Sequence, residues 1–224
     1  SSSFVVGLLH SMQVLMRKSP DKRWLAEEAI RIEQEVLSEH VGSQDQIAAA
    51  YGGFNFIEFH KDKSFEVTPV NLTSHRKHEL EKHLMLFFTG FSRIASEVAK
   101  SKIANFPIKS EQLHRMRVRV DEALALLKSN ADIRGFGEML HQTWMDKRSL
   151  SEKVSTSAID SIYDRARTGG AIGGKLLGAG GGGFLLIFAE PEKQPIIRQV
   201  LDELVAVPIQ LEATGSQIGT YHHE

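Results

Sequence analysis

The sequence of 224 residues contains no cysteine and no excess of charge of one sign. The lack of cysteine excludes disulfides and thiolate metal sites, and it fits a reducing compartment. No apolar stretch approaches the roughly 18 residues of a membrane span, and no signal peptide is recognisable. Because 27 Lys and Arg residues offset 28 Asp and Glu residues, a general attraction to nucleic acid or to an anionic membrane is not expected. These absences predict a cytoplasmic globular protein.

The start of the chain is unusual for a complete protein. It opens with Ser1-Ser2-Ser3-Phe4, and apolar residues at helical spacing follow at once, with the serines suited to cap the helix. No residues precede this helix to form the loop or strand that it would need. We therefore expect the C-terminal portion of a longer polypeptide, or one piece of a cleaved one.

The first part of the chain is predicted to contain two helices, a turn and a hairpin. The first helix extends from Phe4 to Met16, and a second amphipathic helix is predicted at about 23–39. A polar turn at 41–46 and a short Ala-rich stretch follow. Strands at 54–59 and 65–70 then form a hairpin. The polar, charged segment 71–83 is expected to be an exposed linker that contains the domain boundary.

The second part of the chain mixes helices and strands. The predicted helices lie at about 92–104, 110–128, 132–150, 156–168 and 191–204. The predicted strands lie on both sides of a glycine loop and at 84–88, 184–188, 208–211 and 217–221. Because the order of these elements lacks the regular alternation of a dinucleotide-binding fold, we predict an α+β fold.

The glycine loop lies in KLLGAGGGGFLLIF, residues 175–188. Residues 178–183 formally contain GxGxxG, but a strand is predicted directly after them, where a dinucleotide-binding fingerprint needs a helix. A Walker A loop needs Lys after the glycines, whereas Lys175 precedes them. The remaining possibility is a loop between two strands, whose N–H groups can approach an anion closely. A tight turn or a close interdomain contact is the alternative.

Residues 175–183 resemble the third motif of the GHMP kinases, the family of galactokinase, homoserine kinase, mevalonate kinase and phosphomevalonate kinase. Ser1-Ser2-Ser3 resembles the end of the second motif, which holds the ATP phosphates at a helix N-terminus. Residues 42–46 and 51–55 resemble the segment with the family's catalytic Asp. Within the family, the sequence most resembles sugar kinases acting on D-glycero-D-manno-heptose 7-phosphate. The matching stretches are VGSQDQIAAAYGGFNFIEF, FFTGFSR, KRSLSEKVS and GGKLLGAGGGGF. L-fucokinase-type enzymes share much of this pattern.

The resemblance implies roles for residues of the first part. Ser1, or Ser2 one position later, would bind Mg²⁺ through its hydroxyl, although helix capping is the ordinary role of such serines. Glu33 would be the second Mg²⁺ ligand, with Glu35 and Glu39 as alternatives on the same helix. Asp45, placed in a turn, would be the catalytic base that accepts the proton of the sugar hydroxyl. The alternative for Asp45 is a cap of the Ala-rich segment.

The resemblance also implies two sets of ligand-binding residues. The ATP-binding set comprises Ser1, Ser2, Ser3, Gly178, Gly180, Gly181 and Gly182. A phosphate on the sugar would be held by Arg93, with Lys147 and Arg148 as further candidates, because basic side chains bind phosphate oxygens.

The other histidines and arginines do not indicate a structural metal site or a nucleic-acid interface. His75, His78 and His83 are expected in the exposed linker without the fixed geometry of a structural metal site. The helix with Arg115, Arg117 and Arg119 lacks interleaved aromatic residues, and a solvated helix face is expected rather than a nucleic-acid interface.

The resemblance thus implies two domains. Residues 1–75 would be the remainder of an S5-like N-terminal domain, and residues 76–224 a ferredoxin-like C-terminal domain. The implied reaction is ATP- and Mg²⁺-dependent phosphorylation of a sugar-phosphate hydroxyl, at the anomeric position for heptose 7-phosphate. L-fucokinase activity, another small-molecule kinase of this family or a non-catalytic module are the alternatives. Because the family's first motif and half of the second are missing, we expect little activity without the missing segment. We expect a monomer or homodimer without nucleic-acid or membrane partners.

Overall fold

The computed structural model describes residues 2–91 and 95–219. Of these, the residues up to Val70 and those from Leu211 onward form one compact unit, and residues 71–210 form a second, apart from the three that are not described. Both units combine helices with a sheet, so the predicted α+β class is confirmed. In this described part of the chain, no helix is both long and apolar enough to cross a membrane.

The first unit packs helices against a two-stranded antiparallel sheet. Its elements are α1 (Ser2–Leu15), α2 (Lys22–Arg31), α3 (Gln44–Tyr51), β1 (Asn55–Phe59) and β2 (Phe65–Pro69). Helix α3 packs against both α1 and α2. The core cluster of this unit draws buried apolar residues from all three helices and from β2, and its members are Val6, Leu25, Ala26, Ala29, Ile47, Ala50 and Phe65.

Helix α2 changes its winding near its end. It begins where the Asp21 carboxylate accepts a hydrogen bond from the Trp24 N–H at 2.7 Å. It continues after Arg31 as a π-helical turn, Ile32–Val36, instead of the regular helix predicted to residue 39. A π turn adds a residue to the helical repeat and occurs often at functional sites. This turn contains Glu33, whose side chain is buried.

Helix α3 begins within the segment that was predicted to be a polar turn. The Gln34 side chain holds the preceding residues by donating to Val41 O at 3.0 Å and to Ser43 Oγ at 3.1 Å. The helix then starts at Gln44 and continues through the Ala-rich stretch, because Ala is the best helix former. Asp45 therefore lies in the first turn of a helix, and its predicted position in a turn was wrong.

The second unit is built on a four-stranded antiparallel sheet. Its strands are β3 (Leu84–Phe88), β4 (Gly173–Leu176), β5 (Phe184–Phe188) and β6 (Val205–Val207), in the spatial order β4-β5-β3-β6. The helices are α4 (Ser74–His83), α5 (Ala95–Asn105), α6 (Ser110–Lys128), α7 (Arg134–Ser149), α8 (Ser157–Thr168) and α9 (Gln194–Val200). Helices connect β3 to β4 and β5 to β6, and this topology is ferredoxin-like, as implied by the resemblance.

The core of the second unit lies between its sheet and the helices. Trp144 of α7 and Tyr163 of α8 are fully buried against strand residues such as Phe87, Leu185 and Ile187. Short 3₁₀ turns at Phe106–Ile108 and Pro191–Lys193 precede α6 and α9. The connection between β4 and β5 is the glycine loop.

The segment 71–83 is not the exposed linker that its charge predicted, because residues 74–83 form helix α4. The Thr73 hydroxyl accepts a hydrogen bond from the Arg76 N–H at 3.1 Å and caps the helix. The buried Arg76 guanidinium donates to Leu126 O at 2.9 Å and to Ala131 O at 2.8 Å. His75, His78 and His83 therefore belong to this helix, and His83 is buried.

The C-terminal elements differ from their predicted bounds. Strand β6 lies at residues 205–207 instead of 208–211, because Val205 and Val207 pair with β3. Helix α9 ends at Val200, four residues before its predicted end. Of the strand predicted at 217–221, residues 217–219 are not in a strand, and residues 220–221 lie outside the described part.

Candidate functional site

A buried carboxylate lies among helices of the first unit. Glu33, from the π turn, is only 3% exposed and accepts hydrogen bonds from Ser2 Oγ at 3.2 Å and from Gln46 Nε2. Glu33 Oε1 and Gln46 Oε1 are also buried, but neither has a hydrogen-bond partner. A buried polar atom without a partner costs about 1–3 kcal/mol. The cluster therefore holds two oxygen atoms whose electron pairs are available to a cation.

The composition of this cluster fits Mg²⁺. It offers a carboxylate, a hydroxyl and an amide oxygen, and hard cations prefer such ligands. Mg²⁺ usually takes only one or two carboxylates from the protein and the rest of its shell from phosphates and water. No group of three or more His, Asp or Glu suited to a metal occurs in residues 2–91 and 95–219. Ser2 and Glu33 thus fit a cation that is shared with a phosphorylated ligand.

The structure separates the alternatives for the metal ligands. Ser2 is buried and bonded to Glu33, Ser3 is exposed on α1, and Ser1 lies outside the described residues. The alternative glutamates, Glu35 and Glu39, are both exposed. Among the described residues, the geometry therefore pairs Ser2 with Glu33, and the choice between Ser1 and Ser2 stays a prediction.

Asp45 and Gln46 lie side by side at the start of α3 but face different surroundings. Asp45 is exposed, while Gln46 is fully buried and reaches Glu33. The first turn of α3 thus contains the predicted base, and through Gln46 the same turn contacts the candidate metal ligand Glu33. Sequence reasoning did not single out Gln46. Its signal was a polar residue at a helix position where burial is expected, directly after the predicted base.

The glycine loop is the hairpin connection between β4 and β5, as predicted. Leu177 N–H donates to Phe184 O at 2.9 Å and closes the hairpin. Gly181 N–H donates to Val154 O at 2.8 Å, and Gly183 N–H donates to Phe91 O at 2.9 Å. Two of the glycine N–H groups are thus used to fasten the loop to neighbouring backbone. The predicted binding of ATP by Gly181 through its N–H would require this bond to open.

Close packing explains two of the glycines. Gly180 has a φ of 116°, and a Cβ there would lie 2.8 Å from Val154 O. A Cβ on Gly182 would lie 2.5 Å from Phe91 O. Both neighbours are backbone atoms that cannot rotate away. Of the two alternatives to ligand binding, the tight turn is therefore present, and the close contacts of these glycines lie within the second unit.

We expect Gly182→Ala to lower the melting temperature of the protein. The methyl group overlaps Phe91 O, and overpacking costs about 1–3 kcal/mol, or roughly 2–12 °C. Gly7→Ala is the matched control, because its Cβ meets nothing within 4 Å and alanine favours the helix. Thermal unfolding of both variants measures the difference. Equal melting temperatures would show that the loop does not pack tightly on Phe91.

The predicted sugar-phosphate ligands have different surroundings. Lys147 is buried, and its Nζ donates to Leu176 O and to Gly178 O, each at 2.8 Å. Arg148 is partly exposed and pairs with Asp160 at 2.7 Å. Arg93 lies outside the described residues. The structure therefore brings Lys147 to the glycine loop and Arg148 to α8, and the contact of all three with a substrate stays a prediction.

The three arginines of α6 differ in their exposure to solvent. Arg115, whose side chain is 40% exposed, pairs with the buried Asp146 of α7 at 2.7 Å, and the largely buried Arg119 pairs with the same carboxylate. Burial alone would raise the pKa of Asp146, but the two guanidinium groups outweigh it and hold that pKa below its usual value. Arg115 and Arg117, which pairs with the exposed Asp121, are therefore exposed to solvent as predicted, whereas Arg119 is not.

Positive charge is concentrated next to the first strand of the hairpin. Lys102 of α5 is partly buried, and this burial lowers its pKa, to which the nearby charge of Lys175 contributes. Lys175 lies in β4, three residues before Gly178. The charges of Lys102 and Lys175 therefore lie near enough to repel each other. Lys102 was not among the predicted site residues, because nothing in the sequence relates α5 to β4.

The comparisons with known proteins agree with this architecture. Residues 123–207 match the family described as GHMP kinases C terminal. A solved structure, a putative sugar kinase from Campylobacter jejuni, matches with a TM-score of 0.66 and 30% identity over 96% of this chain and 62% of that one. Residues 123–207 therefore belong to the GHMP kinase C-terminal family, as the motifs predicted, and nearly the whole chain is similar to a sugar kinase of known structure.

Two curated relatives are sugar kinases by name. The chain is 33% identical over 199 residues to the D-glycero-α-D-manno-heptose 7-phosphate kinase of Campylobacter jejuni, which is 87% of this chain and 58% of the relative. It is 30% identical over 72% of its length to the bifunctional fucokinase/GDP-fucose pyrophosphorylase of Arabidopsis thaliana, of which it covers 16%. The chain thus spans somewhat more than half the length of the first relative and a small part of the second.

Proposed function

We propose that this chain carries the catalytic base, the metal ligands and a glycine loop of an ATP- and Mg²⁺-dependent sugar kinase. The observation that carries the proposal is the buried Glu33, which has one carboxylate oxygen without a partner and shares the other with Ser2 and Gln46. Such a group is costly unless a cation uses it. An ATP-consuming reaction also agrees with the cytoplasmic location expected from the sequence.

The proposed reaction divides its tasks among residues of the first unit. Asp45 accepts the proton of the sugar hydroxyl while that oxygen forms a bond to the γ-phosphorus. The bond from the γ-phosphorus to the β–γ bridging oxygen breaks, and ADP leaves with its electron pair. Ser2 and Glu33 would hold Mg²⁺, which supplies positive charge to the phosphates. Gln46, which follows Asp45 on α3, keeps Glu33 of the π turn in place, so the base and the metal ligand keep a fixed relation.

The proposed acceptor is D-glycero-D-manno-heptose 7-phosphate, phosphorylated at its anomeric hydroxyl. This choice is supported by the name of the Campylobacter relative. L-fucose is the second candidate, since the Arabidopsis relative contains a fucokinase.

The substrate test is ADP release by the complete source polypeptide with heptose 7-phosphate, with L-fucose or without sugar. We expect turnover with heptose 7-phosphate at least about tenfold above both other conditions, because a site that pairs a buried polar group with its substrate rejects analogues strongly. Turnover with L-fucose alone would replace the proposed acceptor and keep the kinase. ATP binding without turnover of any sugar would favour a non-catalytic module, and no ATP binding would overturn the kinase proposal.

A further inference from the structure

Helix α7 ends with three consecutive charged residues that have three different partners. Asp146 faces α6, and Arg148 faces α8. Lys147, which is 8% exposed, places its Nζ 2.8 Å from both Leu176 O and Gly178 O. An ammonium group has three donors, and two of them bind carbonyl groups at the beginning of the glycine loop. The geometry of Lys147 is that of a buried support rather than of an exposed phosphate ligand.

We propose that Lys147 is a positioning residue that orients the first half of the glycine loop. In a trans peptide, the carbonyl and the following N–H point in opposite directions. Lys147 holds Leu176 O, and the next N–H, that of Leu177, points away and closes the hairpin on Phe184 O at 2.9 Å. The same rule applies at Gly178, whose carbonyl is also held by Lys147. The Ala179 N–H is therefore directed to the side of the loop opposite Lys147.

The second half of the loop is fixed by other groups. Gly181 and Gly183 donate to Val154 O and Phe91 O, and neither bond involves Lys147. The loop therefore has two independent supports, one for residues 176–179 and one for residues 181–183. Removal of the Lys147 ammonium should free the first half alone. This division is what distinguishes a positioning role from a general contribution to stability.

The consequence for the reaction rests on the proposed function. If the glycine loop binds the nucleotide, then an Ala179 N–H that is held in one direction needs no reorganisation when ATP binds. Loss of Lys147 should weaken ATP binding and leave the sugar phosphate unaffected. A direct contact of Lys147 with the sugar phosphate, as predicted from the sequence, would have the opposite effect.

The first test does not depend on activity. Hydrogen exchange of individual amides is measured in Lys147→Met, which keeps the length of the side chain and removes its donors. We expect the amide of Leu177, which is hydrogen-bonded to Phe184 O, to exchange about tenfold faster, while those of Gly181 and Gly183 change less than twofold. Lys128→Met is the control, because Lys128 is exposed at the end of α6. Unchanged exchange at Leu177 in Lys147→Met would overturn the proposal.

The second test separates this proposal from the proposed function. We expect Lys147→Met to raise the KM for ATP about tenfold and to leave the KM for the sugar phosphate unchanged. Lys147→Arg, which keeps cationic donors, should restore much of the amide protection and of the low KM for ATP. A rise only in the KM for the sugar phosphate would overturn the positioning role. A wild-type protein without ATP turnover would overturn the kinase proposal, and hydrogen exchange would still decide the role of Lys147.

Discussion

Asp45→Asn should lower the rate of phosphoryl transfer about 10³-fold, because the amide cannot accept the proton of the attacking hydroxyl. Asp45 is exposed in the first turn of α3, and asparagine has nearly the same shape. The melting temperature and the KM for ATP should therefore change little, since exposed substitutions of this kind usually stay within about 0.5 kcal/mol. Single-turnover release of ADP at saturating ATP measures the chemical step.

The control for Asp45→Asn is Glu27→Gln, which also neutralises an exposed carboxylate in the first unit. Glu27 pairs with Arg23 across one turn of α2, and such surface pairs contribute little. We expect full activity in this variant. If Asp45→Asn retained a third or more of the wild-type rate, Asp45 would not be the base.

Glu33→Gln should remove the response of the protein to Mg²⁺. Glutamine keeps the shape of the side chain and one acceptor for Ser2 and Gln46, but it lacks the charge that binds a cation. In the wild type, Mg²⁺ with ATP should raise the melting temperature, because a ligand that binds only the folded state stabilises it. In Glu33→Gln this increase should disappear, and the rate should fall about 10²-fold or more at ordinary Mg²⁺ concentrations.

Glu35→Gln is the matched control, because Glu35 belongs to the same π turn but is exposed. Its melting temperature should rise with Mg²⁺ and ATP as in the wild type. Without Mg²⁺, Glu33→Gln should be as stable as the wild type or more stable, since it removes a buried charge with an unpartnered oxygen. If Glu35→Gln instead lost the response to Mg²⁺, the other glutamate would be the ligand.

The helices and strands with clear apolar periodicity could be predicted from the sequence. The first helix, the buried strand β3 and the strand after the glycine loop follow from patterns that local propensity and burial both support. Helix α4 could not be predicted in this way, because its charged residues resemble a solvated linker. Its Arg76 is buried only because carbonyl groups of Leu126 and Ala131, far along the chain, accept its hydrogen bonds.

The residues of the candidate site could be predicted where they belong to a sequence motif. They could not be predicted where a tertiary contact determines their role. A regular helix offers no reason to choose Glu33 over Glu35, and the π turn that buries Glu33 is not visible in the residue pattern. Gln46 gains its place only from the approach of α3 to α2. A basic residue such as Lys147 suggests a phosphate ligand until its acceptors, Leu176 O and Gly178 O, are located.

The most direct test of this account is a ³¹P NMR spectrum of the reaction of the complete source polypeptide with ATP, Mg²⁺ and heptose 7-phosphate. We predict that the γ-phosphate signal of ATP is lost while ADP and a second sugar phosphate signal, coupled to an anomeric proton, appear together in equal amounts. Inorganic phosphate in place of the new sugar phosphate, or an unchanged ATP spectrum, would contradict the proposed transfer of phosphate to a sugar hydroxyl.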